Sequence, residues 1–181
     1  MTSQQAEKDN ERTAISLAMR QAVGSELSRM VSYPVSESDI RKWAAAVYYP
    51  DEPPARFWDH EAAGDSRAGG ITAPEEFNPF AWMKAEPKGV KPTSAATDAD
   101  STERSLGIEG PHLMNQLNGG VSVEYGVPIR AGDVITSVTR LGEYTERPGS
   151  LGLMLFTPLE TTWTNQQGEV VKRSRLVLIR Y

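Results

Sequence analysis

The feature that most constrains this chain is a change of period at Leu117. From there Val121, Val123, Tyr125, Val127 and Ile129 alternate with Ser122, Glu124, Gly126, Pro128 and Arg130. That is the two-residue repeat of a half-buried β-strand. Ala131-Gly132-Asp133 turns the chain into Val134 to Leu141, a turn near Arg147-Pro148-Gly149 leads into Leu151 to Thr164, and Asn165 to Gly168 leads into Val170 to Tyr181. Short turns between consecutive strands require antiparallel pairing, so this half of the chain reads as a four-stranded meander.

The first half repeats at helical spacing instead. Residues 1–13 form a polar tail expected to be disordered, and residues 14–181 a single domain. Ala14, Ile15, Ala18, Met19, Ala22 and Val23 share a helical face that stops at Gly24, and Ser28 to Val35 fits a short strand. Ser36 then caps a helix, with Asp39 three residues on and an apolar stripe of Ile40, Trp43, Ala44, Val47 and Tyr48. Pro50 and Pro53-Pro54 end it, and Asp59 caps a short turn at His60. Gly69-Gly70-Ile71-Thr72-Ala73-Pro74 leads into a third expected helix, with Pro74 at its first position and Phe77, Phe80 and Ala81 buried. Residues 86–110, rich in Pro, Lys, Ser, Thr, Ala and Asp, read as a long surface loop or insertion. Helices segregated from an antiparallel sheet make an α+β fold, one helix packed on a curled sheet.

Composition narrows the chemistry. The 181 residues contain no Cys and two His, His60 and His112, which rules out thiolate nucleophiles, disulfides and Cys-based metal sites and leaves little for a metal centre. With 19 Lys+Arg against 24 Asp+Glu, the net charge of −5 argues against a nucleic-acid or anionic-membrane partner. No stretch approaches the ~20 apolar residues of a transmembrane helix, and the first residues lack a signal-peptide pattern. A cytoplasmic location is the expectation.

The order of these motifs, Gly69-Gly70-Ile71-x-Ala73-Pro74 followed by Val127-Pro128-Ile129-Arg130-Ala131-Gly132-Asp133-Val134-Ile135, resembles the MaoC-type hot-dog dehydratases and hydratases. Within them it is similar to the N-terminal, FAS1-like dehydratase class, over residues 24–81 and 115–181. The resemblance implies a hot-dog fold, a curled antiparallel sheet wrapped around a central helix. It also implies a 2-enoyl thioester of coenzyme A or acyl carrier protein as substrate, with no further cofactor and no metal. Hydration of that double bond needs a base for water, an acid for the α-carbon, and donors for the thioester oxygen as enolate charge develops.

Active members supply acid and base through Asp-x-x-x-x-His after the long helix. Here that place reads Tyr49-Pro50-Asp51-Glu52-Pro53-Pro54-Ala55-Arg56-Phe57-Trp58-Asp59-His60, so the His position falls on Arg56 or Phe57. Asp51 is the nearest candidate for the motif's Asp, and His112 the second catalytic candidate. Where active members carry His-Gly after the loop alanine, this chain has Pro74-Glu75, which leaves the N–H groups of Glu75, Glu76 and Phe77 as donors. The resemblance therefore implies a non-catalytic half. Such a chain shapes an acyl pocket, with Gly70, Ile71, Ala73, Phe77, Trp82, His112 and Arg130 as substrate-binding candidates, and assembles as a homodimer or with a catalytic hot-dog subunit. The alternatives are a self-sufficient hydratase using nonstandard residues, a non-enzymatic acyl-thioester-binding homodimer, and a thioesterase using Glu75 or Glu76. Arg130, Arg140, Lys172, Arg173, Arg175 and Arg180 are candidates for holding coenzyme A phosphates, or else a solvated strand face. Asp133 is expected to close its turn locally.

Overall fold

The structure, a computed structural model, describes residues 13–66, 68–81, 83, 98–150 and 152–181. Local chemistry decides the helices. In α1 (Leu17–Gln21) the Ser16 hydroxyl accepts the Met19 N–H at 3.2 Å, and Gly24 takes the positive φ that ends the turn. After β1 (Glu26–Val31), Ser36 caps α2 (Glu37–Tyr48) by accepting the Asp39 N–H at 3.1 Å. Its stripe buries Ile40 and Ala44 completely and sets the edge of Trp43 against Phe77, ring centroids 5.6 Å apart. A 3-10 turn at Ala55–Phe57 precedes α3 (His60–Gly64), capped by Asp59 on the Ala62 N–H at 2.9 Å.

Two expectations fail for identifiable reasons. The helix expected after Pro74 does not form: the Phe77 N–H reaches Pro74 O and the Ala81 N–H reaches Asn78 O, giving two separate turns. Pro79 supplies no N–H and disfavours helical geometry at Asn78, whose side chain accepts the Phe80 N–H at 3.0 Å instead. The stretch expected as a loop at 86–110 carries, in its described part, α4 (Ser101–Ser105), with Ala99 and Glu103 buried.

The remaining elements are β2 (Gln116–Tyr125), β3 (Thr136–Leu141), β4 (Thr145–Gly149), β5 (Gly152–Thr164) and β6 (Val170–Arg180). All pairings are antiparallel, in the order β1-β3-β5-β6-β2, with β4 also on β5. A simple meander is thus overturned at one point, because β2 lies at the far edge beside β6. Residues 126–135 form a crossover too long for a tight hairpin. Along it the Val127 N–H bonds Val170 O, and Ile129 O accepts the Ala73 N–H, so Val127 and Ile129 keep the strand alternation outside the strand. β3 and β4 lie along successive parts of the same side of β5, interrupted at Gly142. A Cβ there would stand 2.8 Å from that of Pro158.

The result is a six-stranded antiparallel sheet with few helices, the hot-dog fold. Two cores share its inner face. One joins α2 to Ile71, Ala73, Phe77, Ile129, Ile135 and Val171. The other joins Met19, Leu141, Tyr144 and Leu155 at the opposite end. No helix among the described residues is long and apolar enough to cross a membrane.

Candidate functional site

The end of α2, the 3-10 turn and the loop 72–76 enclose the larger candidate cleft, about 450 Å³, lined by Val47, Tyr48, Arg56, Phe57, Thr72 to Glu76, and Pro128. Each element is held there by its own chemistry. Prolines end α2 and start the 3-10 turn, which buries Phe57 against Tyr48 at 5.9 Å between ring centroids. That leaves Arg56 outward, its guanidinium 4.6 Å from the Phe57 ring centre. The loop is sewn to the crossover by the Ala73 N–H on Ile129 O at 2.8 Å and by a Thr72–Arg130 bridge.

The two residues at the motif's His position both line the cleft, Arg56 exposed and Phe57 nearly buried. No His lines this cleft. His60 sits on α3, its ring exposed and 3.3 Å from a Glu37 oxygen. Asp51 is exposed, its N–H on Tyr48 O at 2.8 Å, and is not a lining residue. Among the described residues, no Asp–His pair of the kind active members use lines this cleft.

Among the loop's backbone donors, the Ala73 N–H is spent on Ile129, Pro74 has none, and the Phe77 N–H is spent on Pro74 O. The Glu75 and Glu76 N–H groups have no protein acceptor among the described residues, and both residues line the cleft. Two adjacent free N–H groups suit an oxyanion. The carboxylates beside them, with Arg56 opposite, leave the cleft one cation and two acids.

Of the other substrate-binding candidates, Ala73 lines the cleft, and Gly70 and Arg130 lie beside each other, the position of a Gly70 Cβ 3.7 Å from Arg130 Nη1, but do not line it. Ile71 and Phe77, expected as substrate contacts, are instead 7% and 1% exposed in the core. Trp82 lies outside the described residues. His112 is at the wrong end of the sheet. It precedes the Gln116–Arg180 pair, whereas the loop meets β2 and β6 at Tyr125–Lys172, and a ten-residue strand spans roughly 30 Å. There the His112 backbone N–H donates to Asp100 and its exposed ring lies 3.0 Å from Glu109. Asp133 accepts the Arg130 N–H at 2.8 Å and a Gln166 amide at 3.2 Å, the local closure expected of it.

The basic residues separate by face. Arg173 and Arg175 are on the outer face, with Arg175 3.5 Å from Glu160, and Arg140 is held by Glu26 and Gly24 O. Arg180, expected as a surface cation, is 1% exposed and bonded to Glu103. Lys172 points inward beside the loop. Its Nζ lies 4.9 Å from the Trp163 ring centre, 5.4 Å from that of Tyr125 and 3.7 Å from Glu76. The Tyr125 hydroxyl donates to the same Glu76 carboxylate. Burial first, then that hydrogen bond and the Glu76 and Glu75 charges, push this hydroxyl up to about 12, so it remains a donor at neutral pH. The only sequence signal for this cluster was the inward register of Tyr125 and Lys172, legible once the two strands are paired. No group of three or more His, Asp or Glu suited to a metal occurs among the described residues.

Comparison with known proteins agrees with this fold. The chain is similar in structure to a MaoC-like dehydratase from Rhodospirillum rubrum, at 24% identity and a TM-score of 0.51, covering 88% of this chain and 92% of that one. It is similar to a chain of the ChsH1-ChsH2 complex from Mycobacterium tuberculosis, at 16% identity and a TM-score of 0.61, covering 97% and 92%. An (R)-hydratase from A. caviae matches at 15% identity and a TM-score of 0.51, covering 86% and 94%. At these identities the likeness speaks for the fold. No curated protein matches the chain. The model of the FAS1-like dehydratase domain region matches residues 21–174, nearly the whole described domain. The chain belongs to the FAS1-like dehydratase family of hot-dog proteins.

Proposed function

We propose that this chain is a hot-dog subunit of a 2-enoyl-CoA hydratase or 3-hydroxyacyl thioester dehydratase, shaping the acyl pocket while a partner chain supplies the acid and base. The observation that carries the reading is that the motif's His position falls on Arg56 or Phe57, both of which line the cleft and neither of which can do a histidine's work, while Asp51 is exposed and outside the lining. Hydration needs a group near neutral pKa to shuttle protons, and a guanidinium stays protonated throughout that range. What the cleft retains is the binding half of the chemistry: apolar walls from Val47, Tyr48 and Pro128, and two N–H donors at Glu75 and Glu76 for a thioester oxygen. The coenzyme A thioester is substrate in this reading, and no additional cofactor enters.

Assembly completes the proposal. β2 is an open sheet edge with Leu117, Val121 and Tyr125 exposed, the kind of edge that pairs with another chain. A similar fold occurs within a complex of two differently named chains, ChsH1-ChsH2. The test is co-expression with catalytic MaoC-type chains followed by size measurement. A stable complex that no longer forms with Val121→Lys supports the proposal. A chain that stays apart from every catalytic hot-dog partner contradicts it.

A further inference from the structure

On the other side of the loop 73–75 from the larger cleft lies a smaller pocket of about 90 Å³, walled by Val127, Ile129, Val171 and Trp163, with Tyr125 and Lys172 at its rim. At ~30 Å³ per water this is the room of about three waters, enough for a compact group such as a small ring or a short branched chain. Its one cation is placed in an unusual way. The Lys172 side chain is 14% exposed and rests between two aromatic faces, which offset part of the cost of withdrawing an ammonium from water. Its nearest carboxylate oxygen, on Glu76, is 3.7 Å away, beyond hydrogen-bond distance. Glu76 itself is 69% exposed and already accepts from Tyr125. The ammonium thus keeps donors with no acceptor among the described residues, over an apolar floor.

The charges around the pocket select what those donors can meet. Glu75 lines it and the Glu76 carboxylate stands 3.7 Å from Lys172, so the pocket has two acidic residues and one ammonium. A ligand carboxylate would meet both acids, and a ligand cation would meet Lys172. A neutral acceptor oxygen meets neither penalty. We propose that this pocket is a subsite for a compact apolar group bearing one neutral oxygen, a ketone or hydroxyl, with Lys172 as its donor. Its extension to an acyl tail carrying such an oxygen rests on the acyl-pocket reading above, but the subsite itself does not.

The test uses the full chain and no coenzyme A ester, so its outcome is independent of that reading. The Trp163 indole N–H resonance, assigned with Trp163→Phe, is followed in titrations with cyclopentanone and with cyclopentanecarboxylate. The ketone is expected to give a saturable shift, with the carboxylate binding about fivefold or more weaker because of Glu75 and Glu76. Lys172→Met, of similar length and apolar reach, is expected to weaken the ketone by about tenfold or more, the size of one lost charge-assisted hydrogen bond. No saturable shift, equal or tighter binding of the carboxylate, or unchanged ketone affinity in folded Lys172→Met overturns the proposal. The comparison of the two ligands on the native chain decides it even where that variant fails to fold.

Discussion

Arg180 makes four hydrogen bonds in the interior: to Ala99 O, to both oxygens of Glu103 and to the Thr157 hydroxyl, at 2.7 to 2.8 Å. Both ends of this ion pair are withdrawn from water, so losing one strands the other. Glu103→Gln is expected to lower stability by about 3–5 kcal/mol, measured by urea unfolding, and Arg180→Met/Glu103→Leu to recover a large part of the loss. Tyr144, 6% exposed, donates to Glu103. Burial, then that bond and the Glu103 charge, hold its hydroxyl well above the ordinary 10.0. The unfolded chain therefore releases this proton first, and the contribution is intact below pH 10 and lost as pH rises above it. In urea unfolding between pH 9 and 11.5, Tyr144→Phe is expected to show a shallower loss of stability than the native protein; an equal slope would contradict this. None of this network was legible in the sequence. Arg180 sits in a strand among other basic residues, and its partner comes 77 residues earlier in a stretch whose polar composition reads as solvent-facing.

Elements whose reasons are local were legible, and those decided by distant pairing were not. The caps at Ser36 and Asp59 follow from side chains bonding an N–H three residues on. Ser36→Ala is accordingly expected to cost about 1 kcal/mol, read from thermal or urea unfolding. The segment after Pro74 misled because Pro and two acids are a true helix-start pattern, and only the Asn78-Pro79 step undoes it. The position of β2 beside β6 was hidden because the crossover continues the strand's alternation. Gly126 marks the place where the strand leaves the sheet, since a Cβ there would fall 2.0 Å from Val170 O. Gly126→Ala must push the β2–β6 junction apart, and is expected to destabilise by about 1–3 kcal/mol. It is also expected to shift the Trp163 indole signal, because Gly126 and Trp163 line the same pocket.

At the scale of the whole molecule, the sequence carried the fold and the missing dyad, while the distribution of surfaces came only from the structure. The outer sheet face is polar, with Glu26, Arg140, Glu160 and Arg175 at successive cross-strand positions. Apolar side chains are exposed at both ends of the strand order, Val121 on β2 and Met30 and Val31 on β1. In the proposed division the binding cleft and the sheet edge are this chain's contribution, and the proton-transfer groups are the partner's. The most direct measurement of that division is the hydration rate of a short 2-enoyl-CoA, followed by loss of the conjugated thioester absorbance. It is taken for the purified chain alone and for the chain co-purified with a catalytic hot-dog partner. The expected result is no hydration above the buffer rate for the chain alone, and hydration by the complex. Hydration by the chain alone, abolished by Asp51→Ala, would contradict it.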